Sequence, residues 1–307
     1  MFTIRCAGVL LMLAGAATAS LQRLDGDIHP VAGRAVAVYK STPQGELKIH
    51  LYFPPDWKAA DRRPAFVLFF GGGFVTGSPS QFTTTAEYFS RRGLVAASAE
   101  YRIGNVHHTP PARCAEDARS AIRWLRMNAR HLGIDAGRVL AGGGSAGGTI
   151  AAFAAYNTAY EPEGEDASVS AKPDALVLYN PALGFDELDR VPPDQRKTAE
   201  GPIGIFIRNW TVTKGGPPAI LFYGTEDALE AGGRRFVRNL LAAGTRAELY
   251  TAAGQGHGFF NDRPGSPWHA LVVRQSDFFL KSLGYVNGEP AVQPLDSSTA
   301  ALEKALP

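Results

Sequence analysis

Ser145 lies in the run Gly143-Gly144-Ser145-Ala146-Gly147, directly after the apolar stretch Val139-Leu140-Ala141 and ahead of an alanine-rich segment. A serine so flanked suits a strand-to-helix turn too tight for side chains two positions either side of it. Such a turn strains the serine backbone and lifts its Oγ clear of the sheet. The helix that follows aims its N-terminus at that oxygen, where partial positive charge favours a developing anion. With 34 glycines in the chain, the pentapeptide alone reads equally well as an ordinary turn. The decision rests on whether the remaining parts of a serine nucleophile's machinery are present.

A serine hydroxyl needs a base for its proton, an acid to orient that base, and donors for the oxyanion it creates. Of the seven histidines, His257 alone sits in a loop just beyond the last strand pattern, in the small, flexible run Gly254-Gln255-Gly256-His257-Gly258-Phe259. His107 and His108 compete for the role, but as neighbours their side chains diverge, so the pair does not chelate a metal. Neither a metal nor any other cofactor is expected. Asp227, in Tyr223-Gly224-Thr225-Glu226-Asp227, stands just past a strand pattern and is the acid; Glu226 and Glu230 are nearby and expected to be solvated. Phe69-Phe70-Gly71-Gly72-Gly73-Phe74 follows another strand pattern, and its glycines let backbone N–H groups approach a substrate oxygen. Gly72 and Gly73 are the expected donors, with the N–H of Ala146 as the third. A dinucleotide-binding turn would complete G-x-G-x-x-G into a helix, and this loop does not.

The elements that must hold these groups alternate. Two short strands at 34–40 and 46–53 form a hairpin, after which strands at 65–70, 94–100, 138–141, 174–179, 219–223 and 246–250 are separated by helices. Helices are expected at 80–92, 112–131, 146–156, 229–241 and 268–283. The continuously apolar run 65–70 reads as a strand buried on both faces. This is an α/β chain of one domain over residues 20–286, with a mostly parallel eight-stranded sheet and helices on both faces. Residues 181–217 are irregular and proline-containing, which predicts a lid insertion; residues 161–170 predict an acidic surface loop, and 287–307 a loosely attached tail. Arg119, Arg123, Arg126 and Arg130 share one face of the long helix and are expected to be solvated.

Composition sets outer limits. Met1–Arg5 carries one positive charge, residues 6–17 are apolar but too short to span a bilayer, and Ala17-Thr18-Ala19 suits a signal peptidase. A leader cleaved after Ala19 implies a secreted or periplasmic protein. The formal charge of +2 drops to about +1 without Arg5, which gives no case for nucleic acid or an anionic membrane as partner. No further run is apolar enough for a membrane span. Cys6 lies in the leader, so Cys114 is left without a partner for a disulfide and, being far in sequence from the other parts, is expected to be dispensable.

Ser145, Asp227 and His257 run in the order nucleophile, acid, base used by α/β-hydrolases. With the glycine loop ahead of them, and with Glu100-Tyr101-Arg102 and Asp117-Ala118-Arg119-Ser120-Ala121-Ile122-Arg123-Trp124-Leu125 between, the chain resembles that superfamily. The resemblance is closer to its hormone-sensitive-lipase-like and bacterial acetyl/feruloyl esterase branch, and covers roughly residues 36–283. It implies a single α/β-hydrolase domain and a serine carboxylic-ester hydrolase working through an acyl-enzyme on short-chain or carbohydrate-linked (acetyl or feruloyl) esters. One position departs: the branch commonly opens its oxyanion loop with His-Gly-Gly, and Phe70 holds the histidine's place. That histidine organises the loop and carries no proton, so catalysis is expected to survive.

Two other readings use the same scaffold. A silent binding protein would need a broken triad, whereas every residue type is present. A serine peptidase of related fold brings an extra propeller domain, for which too few residues precede the first strands. For the substrate pocket the candidates are Phe74, Phe185 and Trp210, beside Ile205, Phe206 and Ile207; the lid residues among them would equally serve to pack the lid onto the body. With a neutral imidazole as base and an ionised carboxylate behind it, unperturbed values of about 6.5 and about 3.9 put the working range at neutral to mildly alkaline pH.

Overall fold

Strands without a polar face can only sit where both sides of a sheet are covered. The computed structural model describes residues 19–187, 191–194, 196–293 and 299–306. All but the last residue of the expected leader therefore lies outside the described residues. The strands are β1 (Ser20–Leu21), β2 (Arg34–Thr42), β3 (Gly45–Tyr52), β4 (Arg63–Phe69), β5 (Val95–Ala99), β6 (Ile134–Gly144), β7 (Leu176–Tyr179), β8 (Ala219–Gly224), β9 (Ala247–Ala252) and β10 (Leu302–Leu306). They form one sheet in the order β1-β2-β3-β5-β4-β6-β7-β8-β9-β10. From β5 to β9 every pairing is parallel; β1, β2, β3 and β10 join antiparallel.

The helices are α1 (Thr83–Arg91), α2 (Gly104–His107), α3 (Pro111–Met127), α4 (Ala129–Leu132), α5 (Ala146–Tyr156), α6 (Arg196–Glu200), α7 (Pro202–Ile207), α8 (Glu230–Ala242) and α9 (Trp268–Ser282). Strand β4 shows how the layers divide. Ala65, Val67 and Phe69 join the core beneath α3, α5 and α8, whereas Phe66 and Leu68 join the core beneath α1 and α9. That alternation is the period-2 geometry of a strand covered on both sides. Residues 181–217, expected as an irregular lid, carry the short helices α6 and α7.

Three expectations need correction. The sheet has ten strands among the described residues instead of eight, because segments at both ends of the sequence add to its edges. The tail is accordingly not loose throughout: Leu302 pairs with Ala252 and Lys304 with Tyr250, satisfying backbone groups along the β9 edge. Nor is the arginine face of α3 solvated. Arg119 and Arg123 are buried and pair with Glu161, Arg123 reaches Glu165 at 2.6 Å, and Arg126 meets Asp174 at 2.8 Å. The acidic loop folds onto the helix because arginine stems and opposite charge together favour that contact; Arg130 stays exposed.

One buried charge cluster fixes the base of the scaffold. Asp117 on α3 accepts from Lys40 Nζ at 2.9 Å, and from Arg102 Nε and Nη2 at 2.8 Å each. Burial pushes the Asp117 carboxyl up, but Lys40 and Arg102 outweigh it and hold the group below the usual carboxylate range. Arg102 follows Tyr101, whose hydroxyl donates to Phe70 O at 2.7 Å, so this cluster is connected to the loop that begins at Gly71.

Candidate active site

The Ser145 turn is set by how closely β6 and α5 approach the end of β4. A Cβ on Gly147 would stand 2.0 Å from Phe69 O, and one on Gly143 2.3 Å from the same atom, so neither position accepts a side chain. Between them Ser145 adopts φ 50° and ψ −121°, a left-handed backbone that costs a non-glycine residue on the order of 1–3 kcal/mol. The turn is held by the Ser145 N–H donating to Tyr179 O at 2.9 Å and by Thr149 N donating to Ser145 O at 3.0 Å.

Three sequence-distant side chains meet here. Ser145 Oγ lies 2.8 Å from His257 Nε2, and His257 Nδ1 lies 2.8 Å from Asp227 Oδ2. The other Asp227 oxygen accepts from Leu229 N–H at 3.0 Å. The carboxylate side chain is 2% exposed and the imidazole 41% exposed. The acid is thus fixed in a dry setting while the ring keeps an open side for substrate. The competing residues fall elsewhere. His107 Nδ1 accepts from Ile103 N–H at 2.9 Å within the α2 turn. Glu226 is exposed, whereas Glu230, expected to be solvated, is buried and paired with Arg234 because the first turn of α8 folds inward over it.

The glycine loop turns back on itself beside the serine. Gly72, Gly73 and Phe74 have φ values of 128°, 64° and 66°, and the N–H groups of Val75 and Thr76 both donate to Gly72 O at 3.0 Å. The backbone N–H groups of Gly72, Gly73 and Ala146 make no backbone hydrogen bond among the described residues. Left without backbone partners, in Ala146 beside the serine and in a loop whose Gly71 abuts Ser145, such donors suit a developing oxyanion.

In sequence and fold the chain is similar to known esterases. The BD-FAE family model matches residues 49–177. Esterase 2 of Thermogutta terrifontis, solved with propionate bound, is 37% identical, covers 84% of this chain and is itself covered over 97% of its length, with a TM-score of 0.75. The chain belongs to the α/β-hydrolase serine esterases of the hormone-sensitive-lipase-like branch. The same Thermogutta enzyme has also been solved phosphorylated by paraoxon, at 37% identity, a TM-score of 0.75, and coverage of 84% of this chain and 96% of that one. Esterase LipI of Mycobacterium tuberculosis is 35% identical over 42% of this chain, and ethyl acetate hydrolase of Pseudomonas putida is 27% identical over 75% of it and 74% of its own length. The chain spans only 39% of the length of LipI and 60% of that of the esterase LipC.

Phe70, where the resemblance implied a histidine, has a defined place in the structure. Phe70 stacks on Tyr101 with centroids 4.2 Å apart and planes at 17°. The stack and the Tyr101 hydroxyl bond to Phe70 O anchor the start of the oxyanion loop without a histidine.

The expected pocket residues separate. Phe74 meets Phe206 of α7 edge-on at 5.3 Å, and Phe206 also contacts Phe153 at 5.2 Å and Tyr160 at 5.3 Å. Trp210 has other neighbours: it packs on Phe236 of α8 at 4.9 Å, beneath the Arg235 guanidinium, and donates to Leu183 O. Trp210 therefore pins the lid to the body. Phe185 is buried, and its carbonyl accepts from Arg208 at 2.9 Å.

Asn180 was not singled out by sequence. It sits at the end of β7 with φ 36°, its Oδ1 accepts from Gly258 N–H at 3.2 Å, and its Nδ2 lies 3.4 Å from His257 Nε2. Its only sequence signal is a polar residue between the strand and Pro181, where carboxyl ends of parallel strands gather functional groups. Among the described residues no cluster of three or more His, Cys, Asp or Glu is arranged to hold a metal ion, and no helix is long and apolar enough to cross a membrane.

Proposed function

We propose that this chain hydrolyses small carboxylic esters through an acyl-enzyme on Ser145. The observation that carries the reading is the unbroken path from Ser145 Oγ through His257 to Asp227, with both contacts at 2.8 Å. His257 Nε2 takes the hydroxyl proton as Oγ attacks the ester carbonyl. Asp227 holds Nδ1–H and stabilises the imidazolium. The carbonyl oxygen, now negative, is received by the N–H groups of Gly72, Gly73 and Ala146. Collapse of the tetrahedral species breaks the bond to the alcohol oxygen, which takes the proton from Nε2. Water then gives a proton to Nε2 as it attacks the acyl carbon. The second collapse returns that proton to Ser145 Oγ and releases the acid.

For the substrate we favour short acyl groups, on simple or carbohydrate-linked alcohols. The ring group Phe74, Phe153, Tyr160 and Phe206 offers an apolar wall of limited size. The propionate complex of Thermogutta esterase 2 and the name of the Pseudomonas ethyl acetate hydrolase point the same way. Acetyl or feruloyl esters on polysaccharide are the version that fits export, which itself rests on the leader pattern at 1–19.

Hydrolysis of p-nitrophenyl acetate by wild type and Ser145→Ala tests the mechanism. A loss of several orders of magnitude is expected, and equal rates would overturn it. A series from acetate to palmitate tests the substrate; a maximum on long chains would exclude the carbohydrate-ester version.

A further inference from the structure

Two amide side chains outside the triad connect the oxyanion loop to the loop that carries the histidine. Gly71 N–H donates to Gln81 Oε1 at 2.6 Å. Gln81 Nε2 donates to Asn261 Oδ1 at 2.8 Å, and Asn261 Nδ2 donates to Gly258 O at 2.8 Å. Gly258 follows His257 directly, and its own N–H donates to Asn180 Oδ1. Every contact runs in one donor direction, so neither amide can flip without facing like against like at both ends.

The neighbourhood keeps this path in place. Thr84 Oγ1 donates to Asp262 Oδ2 at 2.9 Å, Thr85 Oγ1 lies 3.0 Å from His269 Nε2, and Phe82 stacks on Phe260 with centroids 5.9 Å apart. Residues 81–85 are thereby joined to 260–269. At the other end, Gly71 is pressed against the nucleophile turn: a Cβ there would lie 3.1 Å from Gly144 O and 3.2 Å from Ser145 Cβ.

From this path, and granting the ester hydrolysis argued above, we infer that Gln81 and Asn261 are positioning residues that set the oxyanion donors and the His257 imidazole at one fixed separation. The reaction needs that separation. In the tetrahedral species a single carbon carries both the oxygen held by Gly72 and Gly73 and the leaving oxygen that His257 must protonate. The two loops lie some 180 positions apart in sequence, so no local backbone constraint relates them. The amide path does, using groups that keep their charge state at every working pH. Its effect falls on the transition state and leaves ground-state binding unchanged, since the hydrogen bonds of both side chains run to the two loops and to each other.

The test uses the full chain with p-nitrophenyl acetate as substrate and phenylboronic acid as a tetrahedral mimic. In Gln81→Met and in Asn261→Leu, kcat is expected to fall about tenfold or more with KM held within about twofold, and boronate inhibition to weaken in proportion to kcat. Because both act through one path, the double variant should be no slower than the slower single. Gln81→Glu keeps the acceptor for Gly71 but loses the donor to Asn261, so it should match Asn261→Leu; it replaces Gln81→Met if that variant does not fold. Singles that retain kcat, losses that multiply in the double variant, or boronate affinity that stays constant would each overturn the inference while wild-type activity stands. An inactive wild type would instead remove the ester-hydrolysis reading on which it rests.

Discussion

Gly144 and Phe260 occupy adjoining space with none to spare: a Cβ added at Gly144 would stand 2.3 Å from Phe260 Cζ. The ring has nowhere to go, because it stacks on Tyr179 at 5.3 Å and on Phe82 at 5.9 Å. Phe260 is three residues from His257, so whatever moves the ring moves the base. Gly144→Ala is expected to cost about 1–3 kcal/mol through overpacking and to lower kcat. Adding Phe260→Leu should restore part of both. Thermal unfolding and p-nitrophenyl acetate turnover of the single and double variants check this; a Gly144→Ala enzyme with wild-type kcat would contradict it.

Phe206 is the hub of the ring group, touching Phe74, Phe153 and Tyr160. It is half-buried, so Phe206→Ala should destabilise by about 2 kcal/mol, less than the roughly 3–5 kcal/mol of a core phenylalanine. The vacated space should move the preference toward longer acyl chains. The measurement is the ratio of kcat/KM for octanoate to that for acetate, which should rise. An unchanged ratio would remove Phe206 from the acyl wall.

His269 gives the fold a defined response to acid. Burial holds its imidazole below the usual histidine range, with Asp262 pulling weakly the other way. The unfolded chain therefore binds more protons between the folded and unfolded values, and stability rises with pH across that window. The contribution is complete above about pH 6.5, the unfolded value, and is lost as pH falls below it. His269→Gln should flatten the dependence of Tm on pH between about 7 and about 5; a variant as acid-sensitive as wild type would place the effect elsewhere.

Cys114 is buried, and its Sγ–H donates to Arg102 O at 3.0 Å. Burial pushes the thiol far above the ordinary cysteine range, with Asp117 adding to the shift. Since the thiolate is the reactive form, a disulfide reagent at mildly alkaline pH should leave the native protein unlabelled and react fully only on unfolding. Cys114→Ala should keep its kcat. Rapid labelling without unfolding would show that the α3 start opens readily.

That Ser145, His257, Asp227 and the glycine loop would meet was legible in sequence because each demand is local: small residues around Ser145, a loop position for His257, a strand end before Asp227. What escaped was settled by distant partners. Gln81 and Asn261 lie 180 positions apart, and each alone is an unremarkable amide, one in the turn that opens α1 and the other in a loop. The Arg119 and Arg123 face looked solvated because helical periodicity does not reveal that Glu161 and Glu165 fold back over it. The segment Leu302–Leu306 is built of leucine, alanine, glutamate and lysine, which favour helix in isolation. The unpaired β9 edge decided otherwise, since backbone hydrogen bonds along a strand outweigh a few tenths of a kcal/mol per residue in propensity.

That last strand also bears on how the molecule meets its neighbours in solution. Without it, residues 247–252 would offer a row of free amides and carbonyls, a template onto which a neighbouring chain could dock strand against strand. Covered, the same flank presents Glu303 and Lys304, both exposed, whose charges make further stacking unfavourable. Removing residues 299–306 should therefore do little to Ser145 or His257 chemistry yet make the protein self-associate as its concentration rises, which light scattering of the shortened and full chains would reveal.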